Sequence, residues 1–410
     1  MDALGNPPRT RQTARKSTGG CIARLKREPQ LQEVERQLAT TTMEPATLFS
    51  DMPAELIEHI VVQIQFVYHI ARAAPTSHAI SVAARNAINA RQFSGEVVTL
   101  AVAVAGDASW GGLAATPDGC IITGSWDGTV KVWRDGVCER TIQAHDELLP
   151  HFGGTIEGLA VLPGGERFVS VSDDGSAKLW RTLDGMLERI FLVEHGLQPG
   201  FTVIVNSVAA LLDGVHFVVG LGGGPNCGDV RLYHADDGTL VHNFQWHQAT
   251  VWAVAVTPDG HYIISGSDDG FVAVWGVGIK CLLSTCEHND SVKAVAAMPD
   301  SQRILSGSWK EVRVWHVNGT LEKTFTLHND PRGGRWNWVN ALVALPDNHH
   351  ALSGSEDETI KLFNVNDGAV LRTFKNHTRT VYSLALLPDG LRFVSGSDDT
   401  TCIVYHGLEP

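Results

Sequence analysis

The chain is 410 residues long, with 43% hydrophobic residues, 19% charged residues and a formal net charge of −13 at pH 7. This size and apolar content predict a folded protein with a substantial core, and the acidic balance argues against non-specific nucleic-acid binding by the folded part. The apolar run Val97–Ala105 spans nine residues, whereas a membrane-spanning helix needs roughly 20. We therefore expect no membrane partner.

Motifs of common enzyme and metal sites are absent from the sequence. The seven cysteines form no Cys-x-x-Cys pair and no ladder with histidines at zinc-ligand spacing. There is also no phosphate-binding loop, dinucleotide fingerprint, zinc-protease motif or nucleophile elbow. We expect a non-catalytic intracellular protein, cytoplasmic or nuclear, with reduced thiols, no metal and no cofactor.

The chain begins with a basic segment, residues 1–42. The first 27 residues contain seven Arg or Lys and one acid, Asp2. We predict that this segment is a disordered tail. Any nucleic-acid affinity of the protein is expected in this tail, because phosphate binding needs clustered cations.

Within this tail, Arg9–Gly20 has the sequence RTRQTARKSTGG. It resembles the tail of the third core histone at eleven of twelve positions, the exception being Arg11, where that tail has a lysine. If modifying enzymes accept the segment, Lys16 is a candidate for acetylation and Ser17 for phosphorylation. Three explanations remain: a histone-mimicking tail, a targeting segment, and a fused or mispredicted first exon.

Residues 43–94 have a helical pattern. The phrase SDMPAELIEHIVVQIQF places a capping residue and a proline before an apolar stripe with helical spacing. Its MPAELIEHI portion resembles the opening of an F-box, the helical motif that binds the Skp-type adaptor of cullin ubiquitin ligases, over little more than the first helix. The alternative is a helical cap packed against the following domain. The F-box resemblance implies four adaptor contacts: Pro53, Leu56, Ile57 and Ile60.

From residue 95 onward, a phrase such as VAVTPDGHYIISGSDDGFVAVW, which ends at Trp275, occurs in seven copies spaced 40 to 53 residues apart. Each copy predicts an apolar strand, a Pro-Asp-Gly turn, a second strand ending in Ser-Gly-Ser, an Asp-centred turn and a third strand ending in an aromatic residue. A fourth strand and a histidine follow. Four strands per unit are typical of a propeller blade.

These repeats resemble the WD-repeat family over residues 95–410. The resemblance implies an all-β fold, a closed seven-bladed β-propeller of four-stranded blades, preceded by the short helical segment and the disordered tail. It also implies a buried hydrogen-bond set within each blade, in which a turn aspartate, a histidine, a serine or threonine and a tryptophan satisfy one another. The residues of this structural set are Asp127, Asp174, Asp269, Asp357, Asp399, His145, His195, His247, His288, His328, His377, Trp133, Trp180, Trp275 and Trp315.

Three of the seven copies, the last, the third and the fifth, depart from the repeat phrase. The last copy ends at Tyr405, five residues before the end of the sequence, so we expect Gly95–Asp107 to supply its fourth strand and close the ring. In the third copy, GGGPNCG at Gly222–Gly228 replaces the Ser-x-Asp turn. In the fifth, Lys310 and Glu311 stand where Asp-Gly or Asp-Thr is expected. We expect both blades to lack part of the hydrogen-bond set.

The repeat register also predicts a partner-binding face at one end of the central channel. It combines the position after the leading apolar residue of each first strand with the position before each turn aspartate. Its carboxylates and aromatic rings suit a basic peptide, through charge attraction and cation–π contacts. Solvated turns without a ligand are the alternative. The face consists of Trp126, Glu157, Asp173, Trp252, Asp268, Lys293, Trp309, Asn340, Glu356, Tyr382 and Asp398.

The function expected from these features is a non-catalytic protein-interaction scaffold that binds proteins or basic peptides. With the F-box-like segment, the leading interpretation is a substrate-recruiting adaptor of a cullin-type ubiquitin ligase, with a Skp-type adaptor as partner. The alternative is a chromatin-associated reader of basic, histone-like tails, because Trp252 and Tyr382 lie three blades apart, as do two arginine-holding aromatics in WD-repeat histone readers. A third interpretation is a regulatory propeller subunit of an enzyme complex.

Overall fold

The structure, a computed structural model, shows the predicted β-propeller. The described residues form 28 strands in seven four-stranded antiparallel sheets and contain no helix, so the predicted all-β, seven-bladed fold is confirmed. Six ranges are described, the first by its backbone only: 97–101, 112–145, 154–193, 203–223, 228–329 and 337–406. The predicted features that lie outside these ranges are His195, the tail with Lys16 and Ser17, and the helical segment with Pro53, Leu56, Ile57 and Ile60.

Each sheet is one blade, and its strands are hydrogen-bonded in chain order except in blade 7, where β1 is added to the end. The strands are, for blade 1, β2 (Leu113–Ala115), β3 (Ile121–Gly124), β4 (Thr129–Arg134) and β5 (Val137–Gln143); for blade 2, β6 (Ile156–Val161), β7 (Arg167–Ser172), β8 (Ser176–Arg181) and β9 (Leu187–Leu192); for blade 3, β10 (Ile204–Ala210), β11 (His216–Gly222), β12 (Gly228–His234) and β13 (Leu240–His247); for blade 4, β14 (Val251–Val256), β15 (Tyr262–Ser267), β16 (Phe271–Gly276) and β17 (Cys281–Glu287); for blade 5, β18 (Ala294–Ala297), β19 (Arg303–Gly307), β20 (Glu311–His316) and β21 (Leu321–Thr326); for blade 6, β22 (Val339–Ala344), β23 (His350–Ser355), β24 (Ile360–Asn364) and β25 (Val370–Phe374); and for blade 7, β26 (Val381–Leu386), β27 (Arg392–Ser397), β28 (Thr401–His406) and β1 (Val97–Ala101).

The first strands of the blades form an inner ring. Each packs against the first strand of the next blade, and β26 of blade 7 packs against β2 of blade 1. The strand β1 completes blade 7 by pairing with β28, from Val97 opposite Tyr405 to Ala101 opposite Thr401. The predicted closure is therefore present, and it gives blade 7 the fourth strand that its own repeat lacks.

Contact between neighbouring blades explains the Ser-Gly-Ser motif. A Cβ built on Gly307 would lie 2.7 Å from Val339 Cγ1, and one built on Gly354 would lie 2.7 Å from Val381 Cγ1. Both valines begin the first strand of the next blade. A side chain at either glycine would therefore force two close-packed blades apart.

The core lies between adjacent sheets. In blade 7, Phe393 and Tyr405 stack with ring centroids 4.4 Å apart. Phe374, from the last strand of blade 6, packs edge-on against both rings. All three residues are buried, so the aromatic residue that ends the third strand helps to join two blades.

Candidate functional site

A buried hydrogen-bond set stabilises the turns of blades 2 and 4. In blade 2, His145 Nδ1 lies 2.7 Å from Asp174 Oδ2 and Nε2 lies 2.8 Å from Ser170 Oγ. Trp180 Nε1 donates to the same serine oxygen at 2.9 Å. Burial lowers the pKa of His145 although Asp174 opposes this, so the ring is neutral at pH 7 and its Nδ1–H donates to the carboxylate. Blade 4 repeats these contacts with His247, Asp269, Ser265 and Trp275.

Blades 6 and 7 keep the histidine, aspartate and serine of this set. In blade 6, His328 Nδ1 lies 2.9 Å from Asp357 Oδ2 and Nε2 lies 2.8 Å from Ser353 Oγ. The third strands of these blades end in Phe and Tyr, so the serine has no indole N–H from that position. Blade 7 repeats the three-residue set with His377, Asp399 and Ser395.

Asp127 of blade 1 departs from the expected set. It is exposed, and its carboxylate accepts hydrogen bonds from Thr129 N at 2.9 Å and Thr129 Oγ1 at 2.6 Å. The expectation of a buried Asp127 was wrong, because the sequence between residues 97 and 112 contains no histidine to pair with it. Trp133 Nε1 donates to Thr123 Oγ1 at 3.0 Å, so the indole contact is retained.

The turn of blade 5 is one residue shorter than that of blade 1. Ser308 N donates to Glu311 O, three residues on, whereas the corresponding bond in blade 1 spans four residues. Lys310 has a φ of 64°, and its carbonyl accepts from His328 N, as the turn glycine of blade 1 does for its own histidine. Lys310 therefore occupies the glycine position. The expectation that it replaces the aspartate was wrong, since the aspartate position is deleted.

His288 of blade 5 consequently has no carboxylate partner. Its Nε2 lies 2.6 Å from Ser306 Oγ, which also accepts from Trp315 Nε1 at 2.7 Å. Its Nδ1 is buried and has no hydrogen-bond partner among the described residues. Burial, with Arg313 nearby, lowers the pKa of His288 to about 3. Blade 5 thus buries a neutral imidazole with one unused nitrogen.

Blade 3 contains a polar cluster that the sequence analysis missed. Asp229 is buried, and its Oδ2 accepts from Asn243 Nδ2 at 2.9 Å and from Arg231 Nη2 at 3.4 Å. Asp229 lies opposite Gln245 and Arg231 opposite Asn243 across the β12–β13 hairpin. The alternation of Asp-x-Arg with Asn-x-Gln on facing strands was the available signal.

The predicted partner-binding face begins at bulges in the inner strands. In β6, Glu157 is the extra residue between Ile156 and Gly158, opposite Ser172 and Val171 of β7. A bulge re-aims its side chain out of the regular pleat. The repeated bulge therefore presents one side chain from each of five blades at the same end of the inner ring. The corresponding bulges in β10, β14, β22 and β26 hold Asn206, Trp252, Asn340 and Tyr382.

Glu157 and Asp173 form an acidic pair in blade 2. Burial, together with the neighbouring Asp173 carboxylate, raises the pKa of Glu157 to about 7. Burial also raises the pKa of Asp173, despite hydrogen bonds from Thr155 and Ser172. No Arg or Lys nitrogen of the described residues lies within 4.0 Å of either carboxylate. Within the described part of the chain, the pair therefore carries the cost of desolvation without a compensating cation.

Lys293 lies at the equivalent position of blade 5, just before β18. Its Nζ is 3.7 Å from the centroid of the Trp252 ring and 3.2 Å from Asp268 Oδ1. Trp338, which the sequence analysis did not single out, has a ring centroid 5.6 Å from the same ammonium. The chain's own lysine therefore covers one side of Trp252, the ring expected to help hold a partner's arginine.

Two tryptophans and an asparagine extend the predicted partner-binding face. The exposed fraction is 46% for Trp126 and 42% for Trp309, values high for indole rings. Asn340 is partly buried, and its Nδ2 has no hydrogen-bond partner among the described residues. The two indole rings offer apolar surface to a ligand, whereas the Asn340 Nδ2 atom itself is buried.

The remaining acids of the face are partly neutralised. Burial raises the pKa of Glu356, although Trp338 N donates to Glu356 Oε2 at 3.4 Å. Asp398 Oδ2 pairs with Arg379 Nη1 at 3.2 Å. Burial, with Asp398 nearby, raises the pKa of Tyr382 to about 12, so its hydroxyl stays protonated at neutral pH.

The described ranges contain neither a metal-binding cluster nor a membrane-spanning helix. There, no group of three or more His, Cys, Asp or Glu is arranged to hold a metal ion. No helix of that part of the chain is long and apolar enough to cross a membrane. The cysteines found there are free thiols, with Cys120, Cys286 and Cys402 buried.

Comparison with known proteins gives matches along most of the propeller. The chain is 25% identical over 310 residues to nuclear distribution protein PAC1 of Arthroderma otae, covering 65% of this chain and 61% of that protein. It is 23% identical over 272 residues to apoptotic protease-activating factor 1 of Rattus norvegicus (60% and 21% covered). It is 27% identical over 180 residues to pre-mRNA-processing factor 17 of Saccharomyces cerevisiae (41% and 37% covered). The chain therefore spans about three fifths of PAC1.

The family described as WD40 (WD domain, G-beta repeat) matches six segments of the chain: 102–134, 136–181, 238–276, 279–316, 319–364 and 368–406. Residues 182–237, between the second and third segments, include β10 to β12 of blade 3, the blade that contains the Asp229 cluster. Proteins of this family are generally protein-interaction scaffolds. With more than half of its length matched and seven four-stranded blades in its structure, the chain belongs to the WD40 repeat family.

Proposed function

We propose that the protein is a non-catalytic scaffold whose partner-binding face holds a basic segment of another protein. The observation that carries this proposal is the acidic pair Glu157 and Asp173, which is desolvated and has no Arg or Lys partner within 4.0 Å among the described residues. A Lys or Arg side chain placed there would restore the missing counter-charge and form charge-assisted hydrogen bonds. The exposed indole of Trp126 offers a neighbouring apolar or cation–π contact.

Peptide binding to the full chain tests this proposal. A fluorescent peptide with the sequence RTRQTARKSTGG serves as the basic probe, and fluorescence anisotropy gives its dissociation constant. The double variant Glu157→Gln/Asp173→Asn keeps the shape of both side chains, and we expect it to weaken binding about tenfold. Glu287→Gln/Glu322→Gln removes two charges from exposed residues of the outer strands β17 and β21 and should bind like the wild type. Equal loss in both variants would contradict a specific role for the pair.

A reader of histone-like tails is a narrower form of the same proposal. The acidic pair suits the Arg and Lys of such tails, whereas Lys293 already covers one side of Trp252. We therefore propose that a basic side chain of the tail binds the acidic pair of blade 2, and that Trp252 and Tyr382 make flanking contacts with the tail. Trp252→Ala is expected to weaken binding of an Arg-containing tail peptide several-fold, and an unchanged affinity would remove Trp252 from the contact.

We also propose an adaptor role for residues 43–94, which rests on the F-box-like phrase MPAELIEHI and is independent of the propeller. The proposed domains are a tail at 1–42, this segment, and the propeller at 95–410. Affinity purification from cells should recover a Skp-type protein with the wild type and lose it with Leu56→Asp/Ile60→Asp. Retention of the Skp-type protein by that variant would contradict the proposed contacts, which are Pro53, Leu56, Ile57 and Ile60.

A further inference from the structure

Lys293 fills a cation site built by blades 4, 5 and 6. Its ammonium lies 3.7 Å from the Trp252 centroid, 5.6 Å from the Trp338 centroid and 3.2 Å from Asp268 Oδ1. The Glu356 carboxylate also attracts it. Two indole rings and two carboxylates around one ammonium are the groups that bind alkylammonium ligands in proteins.

The anionic wall of this site is held by contacts that do not involve Lys293. Asp268 Oδ1 accepts from Trp252 Nε1 at 3.1 Å and from Ser291 Oγ at 2.5 Å. Glu356 N donates to Trp338 O at 3.0 Å, and Trp338 N donates to Glu356 Oε2 at 3.4 Å. These hydrogen bonds hold the Trp252 indole and the Asp268 and Glu356 carboxylates without the lysine ammonium.

The fold does not require a lysine at this position. The equivalent residues in five other blades are Glu157, Asn206, Trp252, Asn340 and Tyr382, none of which is a cation. Burial lowers the pKa of Lys293 although Asp268 opposes this, so the ammonium is partly desolvated at its place. The side chain remains 22% exposed, which leaves it able to swing into solvent.

We infer that Trp252, Trp338, Asp268 and Glu356 form a binding site for an alkylammonium group, and that Lys293 occupies this site and keeps it closed to the lysine side chains of a partner. Lys293 thus determines which part of the partner-binding face a basic ligand uses. The role of this site in partner binding rests on the proposed function, whereas the existence of the site does not.

A small-cation titration tests the site without any partner. The variant Lys293→Asn takes the residue that blades 3 and 6 carry at this position, so the propeller is expected to fold. The indole N–H signal of Trp252, assigned with Trp252→Phe in ¹⁵N-labelled full-length protein, is followed as n-propylammonium chloride is added. Lys293→Asn should show a saturable shift, whereas the wild type should show the same small drift that sodium chloride causes.

The double variant Lys293→Asn/Asp268→Asn is the matched control and should lose the saturable shift. Two results would overturn the inference: no saturable shift in folded Lys293→Asn, or the same saturable shift in the wild type. If Lys293→Asn does not fold, Lys293→Ala replaces it in the same titration.

A peptide measurement then distinguishes this inference from the proposed function. The affinity of a lysine-containing basic peptide should rise about tenfold in Lys293→Asn, because the second site opens. Loss of wild-type binding in Glu157→Gln/Asp173→Asn tests the proposed function alone. Unchanged peptide affinity in Lys293→Asn would show that Lys293 does not close the site to a partner.

Discussion

At the residue scale, Glu157 of the partner-binding face makes the stability of the fold depend on pH. Its pKa of about 7 in the folded chain lies above the value of about 4.3 for an unperturbed glutamate. A carboxyl group whose pKa is raised on folding contributes stability that is present below the unfolded pKa and is lost as the pH rises through the folded pKa. The wild type should therefore lose this contribution between about pH 4.3 and 7.

Glu157→Gln removes this pH dependence. We expect the variant to be more stable than the wild type at pH 8 and to lose this advantage at pH 5, because only the ionised carboxylate is unfavourable at this partly buried position. Urea unfolding at the two pH values measures the difference, with the exposed Glu322→Gln as control. An advantage of the same size at both values would contradict the assigned titration.

The glycine of Ser-Gly-Ser gives a second prediction at this scale. Gly354→Ala should lower the free energy of unfolding by about 2 kcal/mol, because its Cβ would meet Val381 Cγ1 and overpack the contact between blades 6 and 7. Gly278→Ala is the control, since a Cβ there has no neighbour within 4 Å. Urea unfolding compares the two, and equal stability would contradict the packing explanation of the motif.

At the element scale, the short turn of blade 5 leaves His288 Nδ1 without a partner. Replacing Lys310 by Asp and inserting a glycine after it restores the turn length of the other blades. The new carboxylate should bond Nδ1, raise the pKa of His288 above its value of about 3 and stabilise the protein by about 1.5 kcal/mol. Histidine NMR titration and urea unfolding measure the two effects.

The matched control inserts Asn-Gly in place of Asp-Gly, which restores the turn length without the charge. If the pKa of His288 and the stability change equally in both proteins, the turn length and not the carboxylate would be responsible. The comparison therefore separates backbone geometry from the His–Asp contact.

The individual blades also show what the sequence could and could not predict. The repeat phrase predicts four strands per blade, since strand alternation and turn residues are local properties. The missing histidine before Asp127 and the deleted turn residue at Lys310 could both be found by counting positions in the sequence. The contact of Lys293 with Trp252 and Trp338 could not, because it joins three blades and depends on side-chain rotamers.

At the scale of the whole molecule, ring closure depends on β1. Deleting residues 95–106 removes the outer strand of blade 7 and exposes the edge of β28. We expect an insoluble product, because an unpaired strand edge promotes aggregation. Deletion of residues 1–42 should leave the soluble yield unchanged. A soluble, monodisperse protein from the first deletion, judged by size-exclusion chromatography, would contradict the dependence on closure.

The central claim is that a partner's cation binds the desolvated acidic pair of blade 2. Its most direct test is the dissociation constant of the RTRQTARKSTGG peptide at pH 5.5 and pH 8, for the wild type and Glu157→Gln. Because Glu157 ionises with a pKa of about 7, the wild type should bind more tightly at pH 8, and Glu157→Gln should bind more weakly at pH 8 and lose most of this pH dependence. Wild-type affinity that is independent of pH, or weaker at pH 8, would contradict the account.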